Sequence, residues 1–460
     1  MLEESLSVLQ QDGSLAPTDA DSANSNQDTA QRLHLHCRLL TALAQFAGRR
    51  HLPSTSALAQ QALALAYQIE SEPEVISNLL TQAGVFELAA AYAQGVALGE
   101  KALGIAQVAR LDRHAGLCFD LLGNIAYLAG DFGRAQAHFQ QVLLIHERIG
   151  RLEQRGRAAI GFLGLATAEQ GRLDVALHYS QRYLASCEQM EDRHNLAHAQ
   201  HYLAYIRLRL GYFEQAVALD GQSAAAAEAI GDRDLRSFAL HSQSWAYRHL
   251  GQFPAALRSA TEAVALARGL DAPLTLVFAL THLAEAQLET AQNEADWAQA
   301  TANFQEAATI AHTIGKSIAA YEAEIGLAEL YRRRGQIAAA HEQILSLLPQ
   351  LPAVDAVGWD EPLRAYVVCT RILRAAHDPA AEQILDQGTH LLGCLAQNIT
   401  DPTHRQNFLD SVPAHRALRA ESVQRHALHG EVVYPDIAAL RCTMPSSMIR
   451  AFMLQEIAQE

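Results

Sequence analysis

The stretch LGNIAYLAGDFGRAQAHFQQVL (residues 122–143) reappears in altered form as LGLATAEQGRLDVALHYSQRYL (163–184), displaced by 41 residues. LAYIRLRLGYFEQAVAL starts 40 residues further on at Leu203, and QSWAYRHLGQFPAALRSATEAVALA keeps the 40-residue step from Gln243. Two columns hold the register. A turn column reads Gly130, Gly171, Gly211, Gly251 and Gly335. Five places later a small-residue column reads Ala135, Ala176, Ala216, Ala256, Ala300 and Ala340, with spacings of 41, 40, 40, 44 and 40. The step of 44 marks four inserted residues near AQNEADWAQ. Stepping outward reaches Ala380 in one direction and Gly95 and Thr55 in the other, which gives nine units between about residues 36 and 396. Self-similarity at such a period is the signature of a repeat architecture.

Each unit reads as two helices. The first carries apolar residues at helical spacing and stops at the turn glycine, which supplies the left-handed conformation many helix ends need. The second runs to turns such as EDRH (191–194), GDRD (231–234) and GLDA (269–272), where Asp or Gly breaks one helix and Asp can cap the next. A lone helical hairpin cannot bury both of its faces, so neighbours must stack. The expected fold is all-α: an α-α superhelix of antiparallel helix pairs.

The pattern L-G-x-x-x-x-x-x-G-x-[FY]-x-x-A resembles the tetratricopeptide repeat, through Leu122, Gly123, Gly130, Phe132, Ala135 and Phe139. The 40-residue period is similar to that of the extended repeats in maltose-regulator-like transcriptional activators. ITDPTHRQNFLDSVPAHRAL (399–418), through Asp401, Arg405, Phe408, Leu409, Val412 and Pro413, resembles the segment that closes the repeat region of bacterial signalling ATPases and antibiotic-regulator-like activators. The resemblance implies a concave groove lined by the first helices. It also implies a non-catalytic scaffold that binds a protein or peptide partner in bacterial signalling or regulation. The alternative it leaves open is a ligand-sensing regulatory module with a small-molecule effector. The NTPase and DNA-binding domains of such regulators have no counterpart in this sequence.

Composition narrows the classes further. With 35 Lys+Arg against 50 Asp+Glu the net charge is −15, which argues against direct nucleic-acid binding and against an anionic membrane surface. The polar N-terminus is no signal peptide and no apolar run is long enough to span a membrane, so a cytoplasmic location is expected. Residues 1–30 read as a disordered polar segment and 31–420 as the repeat array with its closing helices. Residues 421–460 read as an irregular tail with a short helix around MIRAFMLQEI. Six scattered cysteines without a CxxC suggest reduced thiols.

Motifs for chemistry are few. IGKS (314–317) lacks the glycine and the preceding strand of a phosphate loop. His194, His198 and His201 share a helix face, but three ligands on one helix make poor tetrahedral geometry. No metal, cofactor or catalytic residue is therefore assigned, and the chain is not expected to be an enzyme. Equivalent positions on successive first helices instead form ladders across the groove. They place His201 beside His241, Tyr205 beside Trp245 and Arg209 beside His249, with Arg248 next to His249. Packing has no need of Arg at these positions. Aromatic rings next to guanidinium groups suit a ligand with an anionic group and a flat or apolar one. Glu285 and, further along, Arg332 extend this candidate partner-binding surface with alternating charge.

Overall fold

The computed structural model describes residues 22–49, 54–88, 91–150, 154–270, 272–351 and 358–429. Their α-helices are α1 (Ser22–Arg49), α2 (Thr55–Gln68), α3 (Glu72–Leu88), α4 (Tyr92–Val108), α5 (Asp112–Leu128), α6 (Phe132–Ile149), α7 (Gln154–Glu169), α8 (Leu173–Gln189), α9 (Arg193–Arg209) and α10 (Phe213–Ile230). The series continues with α11 (Arg233–His249), α12 (Phe253–Arg268), α13 (Pro273–Thr290), α14 (Glu294–Thr313), α15 (Ser317–Arg333), α16 (Ile337–Leu345), α17 (Pro362–Ala375), α18 (Ala380–Gln397), α19 (Pro402–Ser411) and α20 (Pro413–His429). Helices pair in order, so unit 1 is α1/α2, unit 9 is α17/α18, and α19/α20 close the array.

The turn column does what its glycines suggest. Gly130 sits at φ 81°, where its own N–H reaches Tyr127 O and the next, from Asp131, reaches back to Ala126 O at 2.9 Å. This satisfies the last carbonyls of α5. The same pair of bonds recurs at Gly171, Gly211, Gly251 and Gly335. At the other turns, Asp192 and Asp232 cap α9 and α11 by accepting the backbone N–H groups of Asn195 and Leu235. The four inserted residues lead into a reciprocal cap, Asn293 with Asp296, at the start of α14.

All six members of the alanine column are fully buried. Gly123 has the same origin, since a Cβ there would lie 2.7 Å from the Phe139 ring. First helices also touch the first helices of the next unit, as α9 touches α7 and α11. This row of contacts curves the stack so that the first helices face its axis.

The curvature is tight enough for the superhelix to meet itself. Lys316, at the entry to unit 8, donates to Tyr92 Oη (2.9 Å) and to the Leu128 carbonyl at the end of α5 (2.5 Å). The Asp174 carboxylate in unit 4 accepts the Thr400 backbone N–H (2.8 Å) and hydroxyl. In unit 5, Tyr212 Oη lies 2.8 Å from His404 Nδ1, and the Leu210 carbonyl accepts from Asn407 (2.7 Å). The hairpin turns of units 3, 4 and 5 thus support unit 8, unit 9 and the closing pair. A shared apolar core joins Leu173, Leu177 and Ile206 to Trp359, Leu363, Tyr366, Leu395 and Phe408.

Two boundaries differ from the sequence reading. Residues 22–30, expected to be disordered, lie in α1, and α20 continues to His429, past the expected end of order at 420. Residues 1–21 and the MIRAFMLQEI segment lie outside the described residues. Among the described residues no helix is long and apolar enough to cross a membrane.

Candidate functional site

The sequence reading expected the first helices to line a concave groove that a partner enters, with candidate residues from His201 to Arg332. The structure corrects this: the axial space there is filled by the chain's own residues Trp359–Arg364, which lead into α17. The cause lies in the tight winding, which brings residues 358–361 at the start of unit 9 against α9, α11, α13 and α15.

Seven of the nine proposed partner-binding residues gather around this segment or in the layer beside it. On α9, Tyr205 Oη lies 2.8 Å from Glu169 Oε1 and 3.0 Å from Asp360 Oδ1, and its single hydrogen can serve one of them at a time. Arg209 stands over the Tyr205 ring at 5.6 Å and reaches Glu169 at 3.4 Å. On α11, Arg248 Nη2 bridges Glu361 (2.5 Å) and Glu285 of α13 (2.9 Å). Arg364 grips the other oxygen of Glu285 at 2.7 Å. The Trp245 ring stacks on His282 (5.5 Å between centroids), and its Nε1 donates to His249 Nε2 at 2.7 Å. His241 is buried in the same stack, 5.4 Å from His282 and 5.8 Å from Phe278.

His201 faces away from the segment, bonding Asp220 of its own hairpin at 2.8 Å. Arg332 does not join the cluster. It pairs with Glu329 on its own helix, through two bonds of 2.7 and 2.8 Å.

Sequence reasoning missed Asp360, Glu361 and Arg364. The available signal was GWDEPL, where a proline at the first helical position announces a helix start after an acidic pair. Nothing in the repeat register said that this start would lie on the axis. Glu322 of α15 holds the segment by its backbone. Its Oε1 accepts the N–H groups of Asp360 (2.7 Å) and Glu361 (3.1 Å).

Five carboxyl groups (Glu169, Glu285, Glu322, Asp360, Glu361) share this buried space with three guanidinium groups (Arg209, Arg248, Arg364). The imbalance divides the carboxyls. Burial would raise Glu285, but Arg248 and Arg364 hold it down at about 2. Burial likewise opposes the charge on Glu361, yet Arg248 pulls it well below the usual carboxylate range. Burial raises Asp360, and it raises Glu322 well above its ordinary value, with the charge of Asp360 adding to the effect. Trp245 has only an N–H to give, so His249 Nε2 must accept it. Burial lowers the pKa of that imidazole, which fits a neutral ring, and the charge of Glu361 is therefore met by Arg248.

Two small cavities remain beside the segment. One of about 40 Å³ is bounded by Arg209, Trp245, His249, Glu361, Phe408 and His415. The other, of about 20 Å³, lies among Phe278, His282, Glu285, Glu322 and Trp359. Each has room for one to a few waters.

The architecture and its axial lining define a tetratricopeptide-like α-α superhelix. No family model matches the sequence, and no curated relative matches it. Similar solved structures place it more closely. NprR in complex with its cognate peptide NprX is 13% identical, with a TM-score of 0.52, over 79% of this chain and 99% of that one. A Rap protein complexed with competence and sporulation factor is 13% identical, with a TM-score of 0.50, over 76% of this chain and 99% of that one. The apo quorum sensor NprR from B. thuringiensis is 12% identical, with a TM-score of 0.50, over 80% and 99%.

Proposed function

We propose that this chain is a non-catalytic, cytoplasmic scaffold of bacterial signalling or regulation, whose axial face receives a peptide or protein partner. One observation carries the reading: the axial face already holds a short acidic segment by side chains that helix packing does not require. Glu322 takes two of its backbone N–H groups, Tyr205 takes Asp360, and Arg248 takes Glu361. That combination of backbone capture and charge recognition is how a groove reads a peptide. The similarity in fold to NprR, solved with its cognate peptide, agrees with it. A partner of the same kind, an acidic peptide with an aromatic residue before its carboxylates, would compete with residues 358–364.

The test is fluorescence anisotropy with labelled GWDEPLR, the chain's own residues 358–364. The intact protein should bind it weakly, because the site is occupied. Asp360→Ala with Glu361→Ala, which loosens the resident segment, should bind it more tightly, and adding Arg248→Met should abolish the gain. If the loosened variant stays folded and binds no better than the intact chain, the reading fails.

A further inference from the structure

The geometry points to a divalent-metal site at the joint of units 5 and 6, formed by His194 and His198 of α9 and Asp232 at the start of α11. His194 and His198 stand one turn apart, with ring centroids 5.1 Å apart. Asp232 comes from the turn of the following unit. Its Oδ1 is fixed by the cap bond to Leu235 N (3.0 Å), which leaves Oδ2 directed toward His198 Nε2 at 3.7 Å. The three donor atoms lie within 4.8 Å of one another. Bonds of about 2.0–2.1 Å to a tetrahedral ion place donors roughly 3.4 Å apart, so a small inward swing of the exposed His194 completes the set. The sequence reading dismissed a metal here because it took His201 as the third ligand. His201 is committed to Asp220, and the third donor comes instead from a second helix, which removes the geometric objection.

The repeat supplies a second, independent argument. One unit earlier, Asp192 holds the position of Asp232, and Arg157, which aligns with Ala197, one residue before His198, faces it. There the ion pair is closed, at 2.5 Å, and Asp192 also accepts from the Asn195 amide at 2.8 Å. In unit 5 the arginine's position is taken by Ala197, and the imidazole that faces the carboxylate, His198, stands 3.7 Å away, beyond a hydrogen bond. The carboxylate keeps its cap but loses the guanidinium that its counterpart has. Two imidazoles and one carboxylate form a borderline donor set that suits Zn²⁺, Co²⁺ or Ni²⁺ better than Mg²⁺ or Ca²⁺. The ion would stand in for the missing guanidinium, tie the two units together, and keep a coordination position open to solvent beside His194.

The experiment uses the full chain stripped with a chelator, titrated with Zn²⁺ by calorimetry and with Co²⁺ by visible absorption. His198→Gln and His194→Gln are compared with His377→Gln, an exposed histidine elsewhere. Circular dichroism of the metal-free proteins checks that the fold is retained. One equivalent should bind to the intact chain and to His377→Gln, with the intense bands of low-coordinate Co²⁺ and a rise in thermal midpoint. Affinity should fall by at least about tenfold in the other two, already the loss seen for mere outer-shell partners. Equal affinity in all four proteins, or a Co²⁺ spectrum unchanged from the free aqueous ion, would overturn the site.

Discussion

Replacing Arg248 by methionine tests whether the axial network is built as described. The side chain of Arg248 is buried between two carboxylates, and methionine keeps much of its volume while removing the charge. Glu285 retains Arg364 at 2.7 Å, so it stays compensated. Glu361 is left with a neutral His249 at 3.2 Å and the field of the more distant Arg364. Stranding one member of a buried ion pair costs about 3–5 kcal/mol, and protonation of Glu361 limits the loss, since each unit of pKa shift is worth about 1.4 kcal/mol. The pH dependence follows from the direction of the shifts. In the intact chain Glu361 lies well below its ordinary 4.5 and Glu285 at about 2, so their contribution is present above about pH 4.5. It is lost as the pH falls through their folded values. The variant lacks the share from Glu361, so the difference between the two proteins should be largest at pH 7, smaller at pH 4, and shrink further as the pH falls toward the folded value of Glu361. Urea unfolding followed by tryptophan fluorescence reports on this directly, because Trp245 and Trp359 flank the network. Adding Glu361→Gln to Arg248→Met should recover part of the loss. A cost under about 1 kcal/mol at pH 7, or one that is the same at both pH values, would refute the reasoning.

Three further outcomes are expected. Gly326→Val should destabilise by about 1–3 kcal/mol, since even a Cβ would lie within 2.3 Å of the buried Phe304 ring; an unchanged urea midpoint would count against this packing. Burial, together with the charge of Asp120, lifts Glu87 to about 7, so its contribution to stability declines as the pH rises from about 4.5 to 7. Glu87→Gln should therefore gain on the intact chain by up to about 3 kcal/mol at pH 8 and by little at pH 5, and equal gains at both would be the wrong result. Lys316→Met should cost about 1.5–3 kcal/mol and speed hydrogen exchange at residues 129–131, because the Leu128 carbonyl loses its charged donor; unaltered exchange would show that the contact carries no weight.

The fold was legible because its determinants are local and periodic. The glycines of the turn column have positive φ, and the alanines five places on are fully buried, as a close helix contact demands. The ladders correctly brought Tyr205, Trp245, Arg248 and His249 into one neighbourhood. Their partners were not legible, because the contacts span long sequence separations: Arg248 meets Glu361 113 residues away and Tyr205 meets Asp360 155 residues away. Periodicity fixes the angle between adjacent units only approximately. Whether the turns of the superhelix touch depends on the sum of many such angles, which no single column encodes. Arg332 shows the opposite error. Its register is right, but a carboxylate one turn earlier on its own helix, Glu329, was the nearer partner.

The seam between successive turns changes how the molecule comes apart. In an open stack each unit answers only to its two neighbours, and melting can creep inward from either end. Here the contacts of Lys316, Asp174 and Tyr212 tie units 3, 4 and 5 to elements some five units later. Coupling then runs in a second dimension, across the windings as well as along them. Fraying at the closing helices must break the seam before it can propagate, so the middle and the end of the chain should melt as one cooperative block. Mechanically the molecule is a coil with its windings bonded together, stiff where an open solenoid would stretch like a spring.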